Sequence, residues 1–307
     1  MSVVFVLAIA VLIALFLFVF QLSRSADLIW RRRIRVTMAT VVLVILALGV
    51  WAFIIEPNRL IVHQEAIAIN SGPKELDGLR IALISDIHTG GPFIDDRKLR
   101  QIVELTNQQS PDLIVLLGDY MSPNSWHSHR VEPEVTAAAL KYLHAPLGVY
   151  TVLGNHDWWY NGQRVWRAFE SQGIRVLEND VAEVNWQGGS FWLVGLADLW
   201  TRPQRIKETL AKVPADNPII VLTHNPDIFP KIPSSVPLVL AGHTHGGQVN
   251  FPIIGRVVLP SGYGQKYAAG HVQEDGHDLF VTTGIGTSIF PVRFRVPPEI
   301  VILTLKR

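Results

Sequence analysis

Two histidines, His243 and His245, leave the chain two residues apart directly after the apolar run Leu238–Ala241. If that run is a strand, its period of two sends both imidazoles to one side at the carboxyl end. Histidine is the commonest metal ligand at neutral pH, and Gly242, Gly246 and Gly247 give the backbone room to turn around the pair. A solitary His-x-His in a loop is more often solvated than metallated, so the meaning of this pair depends on the other strand ends. Four more apolar runs, at 79–84, 113–117, 149–153 and 219–222, end in residues of metal-ligand type: Asp86-Ile-His88, Gly118-Asp119, Gly154-Asn-His-Asp157 and Thr223-His224-Asn225. Five such endings in register point to one shared site, because open α/β sheets gather ligands at the carboxyl ends of their strands. His63, His127, His129, His144, His271 and His277 end no apolar run and are expected in surface or local hydrogen bonding. With no cysteine in the chain, thiolate sites and cysteine nucleophiles are excluded, and any metal must take nitrogen and oxygen ligands.

The elements that position these residues alternate. Short runs rich in Val, Ile and Leu read as buried strands. Between some of them lie helix faces: Leu99, Ile102 and Val103; Val165, Ala168 and Phe169 in a helix ending at Gly173; and Ile206, Leu210 and Val213. The fold class is therefore α/β. Leu60–Ile69 alternates as an edge strand would, and Asn70-Ser-Gly-Pro73 reads as a turn. After Ala241, the runs 248–251, 279–282 and 300–305 have no helices between them and suggest a second sheet.

The ordered set Asp-x-His, Gly-Asp, Gly-Asn-His-Asp, a later His and Gly-His-x-His resembles the calcineurin-like metallophosphoesterases over about residues 79–250. The resemblance implies a sandwich of two mixed sheets flanked by helices and two divalent metal ions. Asp86, His88 and His245 would hold the first ion, Asn155, His224 and His243 the second, and Asp119 would bridge them. That mixed ligation suits Mn, Fe or Zn. Two cations ~3.5–4 Å apart could share a water, lower its pKa and clamp the phosphoryl oxygens. His156 would be the catalytic residue, protonating the leaving oxygen or stabilising its charge; the rival role is to orient Asp86 or Asp119. Asp157 is expected to fix His156 or cap the next segment. The protein Ser/Thr phosphatases carry Gly-Asp-x-x-Asp-Arg and Gly-Asn-His-Glu, whereas this chain has Gly118-Asp-Tyr-Met-Ser-Pro123 and Asp157, which argues against a protein phosphatase. The stretches Gly148–Asp157, Thr223-His-Asn-Pro-Asp227 and Gly284-Ile-Gly-Thr-Ser288 are similar to a membrane-anchored bacterial subgroup. Trp158, Trp159 and Tyr160 either wall a pocket or pack, and Arg293 is expected to be solvated rather than to meet a phosphate.

The chain has 307 residues, 49% of them hydrophobic, and its apolar excess is concentrated near the amino terminus. Residues 3–20 and 36–55 are uncharged runs close to the ~20 residues that cross a bilayer as a helix, so two transmembrane helices are expected. This gives a two-span anchor at 1–56 and a catalytic domain at 57–307. Between the spans lie Arg24, Arg31, Arg32, Arg33 and Arg35 with Asp27 alone. The excess of positive charge places that loop in the cytoplasm and the catalytic domain on the non-cytoplasmic side of the cell membrane. Five of the 27 basic and one of the 26 acidic residues fall in 1–35, which leaves 22 against 25, a slightly acidic body that argues against a nucleic-acid binder.

The expected function is metal-dependent hydrolysis of a phosphoester or pyrophosphate bond. Its expected partners are the lipid bilayer and a phosphorylated, membrane-borne or lipid-linked substrate. A phosphodiesterase acting on a soluble substrate is the alternative, and a catalytically silent membrane-tethered binding protein is a third reading. Against the third stands the presence of Asp119, Asn155 and His156, which a silent descendant would be free to lose.

Overall fold

Strand β1 (Ile61–Ala68) alternates in burial and lies at the edge of a six-stranded sheet in the order β1-β14-β2-β3-β4-β5. The other members are β2 (Arg80–Ile84), β3 (Leu113–Leu116), β4 (Val149–Thr151), β5 (Arg175–Val176) and β14 (Glu299–Lys306). In this computed structural model, which describes residues 27–69, 76–122 and 128–306, β2 to β5 run parallel and β14 enters antiparallel to β2. The second sheet, β12-β13-β9-β8-β7-β6, is built from β6 (Asp180–Trp186), β7 (Gly189–Gly195), β8 (Ile219–Leu222), β9 (Leu238–Ala241), β12 (Gly270–Glu274) and β13 (His277–Val281). Strands β7, β8, β9 and β13 are parallel, with antiparallel partners at both edges.

Period-two alternation sorts the side chains into three layers. In β2, Ile81 and Leu83 face the space between the sheets, while Ala82 and Ile84 face the helices. In β9, Leu238 and Leu240 join the same middle layer, and Val239 and Ala241 face outward onto Ile228 and Phe229. Each of the fully buried Leu, Ile and Val side chains among these contributes ~1.5–3 kcal/mol. The outer face of the first sheet is covered by α2 (Asp96–Gln108), α3 (Pro133–Leu140) and α4 (Asn155–Glu170). Asp95 caps α2 through Lys98 N at 2.8 Å, and Leu99, Ile102 and Val103 form its buried face. The last helix, α5 (Ile206–Leu210), is a five-residue turn, and Val213 lies beyond it.

The chain divides into two compact units, Met1–Trp51 and Ala52–Arg307. The described part of the first is helix α1 (Leu28–Val50), capped by Asp27, with no buried residue. Helical backbone continues as a π turn (Trp51–Ile55) and a last turn (Glu56–Asn58), so that Leu28–Asn58 is long and apolar enough to cross a membrane.

Several expectations change. Among the described residues there is one such helix rather than two; the run 3–20 lies outside them, as do the turn at 70–73 and His127. Arg31, Arg32, Arg33 and Arg35 sit on the first turns of α1 and not in a loop. The run 300–305 belongs to the first sheet, where its apolar residues fill the place between β1 and β2. Of 248–251, only Asn250–Phe251 is strand, β10, paired with β11 (Gly255–Arg256) in a two-stranded ribbon. The five ligand-bearing strands do not share one sheet: β2, β3 and β4 are in the first, β8 and β9 in the second.

Candidate metal centre

The carboxyl ends of these five strands converge, and short loops carry the side chains inward. Asp86, His88, Asp119, His243 and His245 all have positive φ, at 53°, 51°, 56°, 72° and 50°. A non-glycine residue in this region costs about 1–3 kcal/mol, and five together mark backbone held in place by its surroundings. Gly246 and Gly247 also turn through positive φ, but Gly242 serves another purpose. A Cβ there would stand 2.0 Å from Ser85 Oγ and 2.7 Å from Asp86 Oδ2, so only glycine lets the two sheets approach this closely.

Ligand atoms of Asp86, His88 and His245, of His88, Asp119 and His156, and of Asp119, His224 and His243 lie within 4.8 Å of one another in three overlapping groups. His88 Nε2 and His245 Nε2 are 3.1 Å apart, and His245 Nε2 is 3.4 Å from Asp86 Oδ1. On the other side, His243 Nδ1 and His224 Nε2 are 3.1 Å apart, with His224 Nε2 3.2 Å from Asp119 Oδ2. Carbonyl oxygens fix three of the rings from behind. His88 Nδ1 donates to Met121 O at 3.1 Å, His224 Nδ1 to Leu117 O at 2.7 Å and His243 Nε2 to Pro260 O at 3.1 Å. A carbonyl can only accept, so the opposite nitrogen of each ring is the one presented to the site, Nδ1 in the case of His243.

Burial pushes His88 and His243 down to about 3, reinforced by His156 and His224 respectively, which keeps both rings neutral as ligands must be. At His224 burial acts in the same direction, but Asp119 with Asp86 outweighs it and holds the ring up to about 10. The two acids draw positive charge to this point, the electrostatic condition a divalent ion also satisfies. Asp86 Oδ1 and Asn155 Oδ1 are buried acceptors with no hydrogen-bond donor. Acceptors left in this state fit a cation better than they fit apolar packing. The residues present therefore suit a metal site with nitrogen and oxygen ligands.

A family model for calcineurin-like phosphoesterases matches residues 79–247, more than half of the chain. The chain belongs to that family. It is accordingly a metal-dependent hydrolase of the metallophosphoesterase type. It is 31% identical to the uncharacterized metallophosphoesterase YkuE of Bacillus subtilis (strain 168), over 83% of this chain and 89% of the relative. It is 29% identical to the phosphodiesterase YaeI of Escherichia coli (strain K12), over 74% of this chain and 82% of the relative. It is also 32% identical to a zebrafish (Danio rerio) transmembrane protein with metallophosphoesterase domain, covering 78% of this chain but only 56% of that longer protein.

Seven of the eight site residues read from the sequence thus meet in one cluster, and Asn155 adds its buried oxygen as the first residue of α4. Asp157 accepts the N–H groups of Gly154, Asp119, Tyr120 and Met121 at 2.9–3.2 Å, so it caps α4 and ties down the Asp119 loop. The aromatic triplet splits. Trp158 packs beneath Arg202 and Tyr160 beneath Arg130, whereas Trp159 is 61% exposed and meets His156 edge-on at 4.9 Å between ring centroids. Trp200, which the sequence reading missed, stacks with Trp159 at 6.3 Å and stands edge-on to His243 at 4.4 Å. Its signal was present: β7 runs into Gly195-Leu-Ala-Asp198, another apolar run ending in an acid, and Asp198 Oδ2 accepts from Trp200 N and Thr201 N. Arg293, expected to be solvated, is not. It is fully buried and donates to the carbonyls of Thr283, Gly284, Gly286 and Val296, clamping the glycine-rich tail loop behind Asp86. His277, expected in surface or local hydrogen bonding, is buried against Phe229 with neither ring nitrogen hydrogen-bonded.

Proposed function

We propose that Asp86, His88 and His245 hold one divalent ion and Asn155, His224 and His243 a second, with Asp119 bridging them, and that the site hydrolyses a phosphodiester or pyrophosphate. The reading rests on the two facing imidazole pairs, each 3.1 Å apart, on either side of Asp119. Mn, Fe and Zn suit this donor set. When bound, such an ion pair supplies Lewis acidity and an activated water for in-line attack at phosphorus.

The chain's own residues do the rest. Asp119 Oδ2 lies 3.8 Å from His88 Nε2 and 3.2 Å from His224 Nε2, one oxygen between both halves, while Asp119 Oδ1 accepts from His156 N at 2.9 Å. That backbone bond fixes the start of α4 and with it the His156 ring, whose Nε2 is 4.0 Å from Asp119 Oδ2. Burial, against the pull of Asp119, lowers the His156 imidazole, so near neutral pH it acts on the leaving oxygen as a neutral N–H donor rather than as a store of positive charge. Trp159 and Trp200 offer the leaving group an apolar wall.

The substrate is membrane-borne, a lipid phosphate or lipid-linked intermediate. This is favoured by the apolar helix at Leu28–Asn58 and by a relative that is named a transmembrane protein. The name of the E. coli relative favours the diester bond class, with a soluble diester as the second reading. The runs 3–20 and 36–55 both span, and the arginines at the start of α1 lie in the cytoplasm with the catalytic unit opposite. The test is a substrate panel on the full-length, metal-loaded protein in detergent: phosphomonoesters, diesters, nucleotide pyrophosphates and lipid-linked phosphates. Turnover of a diester or lipid-linked pyrophosphate above the monoesters is expected. Turnover of monoesters alone, or of none of the panel, contradicts the reading.

A further inference from the structure

Immediately after the site, Gly246 and Gly247 lead into the β10–β11 ribbon, whose outer residues are apolar and face solvent. Ile253, Ile254, Val257 and Val258 are 106%, 69%, 63% and 69% exposed, and on a neighbouring loop Ile289 and Phe290 are 67% and 50% exposed. Ile253 and Ile289 hold their β-branched side chains outward at φ 72° and 62°, a region such residues avoid. The two segments form one platform, joined by Gln248. Its side chain accepts from Ser288 N and donates to Phe290 O and Val292 O, and its backbone oxygen accepts from Phe294 N. A contiguous apolar face of this kind on the outside of a folded unit marks an interaction surface.

The same loop is bonded to the end of the apolar helix. Arg293 N donates to Ala52 O at 2.9 Å and Val296 N to Glu56 Oε1 at 2.8 Å, so the platform is fastened to the last turns of the apolar helix Leu28–Asn58, where Phe53 and Ile54 are themselves exposed. We propose that the platform is a second membrane contact: the residues at 253–258 and 289–290 enter the boundary between headgroups and acyl chains beside the point where the helix leaves the bilayer. Amphipathic surfaces bind there in proportion to the apolar area they bury. The platform also continues into the site. Arg256 Nε donates to Gly246 O, and the chain after β11 reaches Pro260, whose carbonyl accepts from His243 Nε2. Docking would therefore hold the site mouth at the membrane surface, within reach of a phosphate carried on a lipid. The inference rests on the reading of Leu28–Asn58 as a membrane span and needs no assumption about turnover.

The native chain has no cysteine, so single cysteines can be labelled in the full-length protein. Ile253→Cys, Ile289→Cys, Leu46→Cys in the helix and Tyr142→Cys on an exposed loop would each carry an environment-sensitive fluorophore in phosphatidylglycerol–phosphatidylethanolamine vesicles containing doxyl-labelled lipid. Quenching and a blue shift at 253 and 289 approaching those at 46, with neither at 142, are expected. Quenching at 46 but not at 253 and 289 overturns the platform while the span stands; absence at all of these positions overturns both. Labels at 253 and 289 that are shielded from water yet not quenched by doxyl lipid would show that protein covers the face, and would also overturn the proposal.

Discussion

The two halves of the site are held in different ways. On the first sheet the loops are tied to each other through backbone: Asp86 N donates to Gly118 O, His88 N to Asp119 O and Thr89 N to Tyr120 O at 2.7–3.0 Å, and Asp157 gathers four more N–H groups. The loops of the second sheet lean on the first. Gly242 N donates to His224 O and Pro260 O accepts from His243 Nε2, but His224 Nδ1 is also held by Leu117 O and His243 N by Asp86 Oδ2, both on the other sheet. The loops of the first half are thus cross-linked to each other by main-chain and Asp157 bonds, while those of the second, bonded mainly within themselves, are placed against the first by close approach and by the bonds to Leu117 O and Asp86 Oδ2. Damage to the first should spread to the whole centre, and damage to the second should stay local.

The largest effect should come from Asp157→Ala. It strands four buried N–H groups at about 1–3 kcal/mol each, so a loss of at least about 4 kcal/mol is expected in denaturant unfolding of the detergent-solubilised protein, with metal lost from both halves. Full metal content in that variant would break the comparison. Next, His156→Ala should lower kcat by ~10²- to 10⁴-fold with metal content unchanged, whereas His243→Ala should remove metal from its own half and leave the other. Elemental analysis beside kinetics separates the two outcomes.

A smaller loss, about 1–3 kcal/mol, is expected for Gly242→Ala, whose Cβ would press Ser85 and Asp86 and wedge the sheets apart. A Tm equal to that of the native protein would show that the second half can yield. The smallest effect tests a group outside the centre. Burial, opposed by Arg202, pushes the Glu178 carboxyl up to about 8. In the unfolded chain the same group ionises near 4.5, so between about 4.5 and 8 the folded state binds more protons and stability falls as pH rises. Glu178→Gln removes this term, and its Tm should depend less on pH between 5 and 8 than that of the native protein; an unchanged slope would exclude the shift.

The centre was legible in the sequence because each ligand follows a short buried strand, and a strand end fixes position without knowledge of the partner strands. His243 and His245, or Asp86 and His88, could be placed before the sheets were known. Sheet membership was not legible. The runs at 238–241 and 300–305 are both continuous apolar strands, and only pairing shows that β9 belongs to the second sheet and β14 to the first, between β1 and β2. The β6–β7 hairpin, turning at Gln187-Gly188, carries the ordinary alternation of a half-buried pair and was overlooked. Arg293 was misread for a different reason: burial of a guanidinium depends on four carbonyls of a folded-back loop, and no local pattern announces them.

The central claim is that the chain's two sheets build one centre for two divalent ions that carries out hydrolysis. Its most direct test is a titration of the chelator-stripped, full-length protein with Mn, following hydrolysis of bis(p-nitrophenyl) phosphate against equivalents of bound metal. Activity should be absent at the start and reach its plateau at two equivalents per chain. Hydrolysis by the verified metal-free protein, or a plateau at one equivalent, would contradict it.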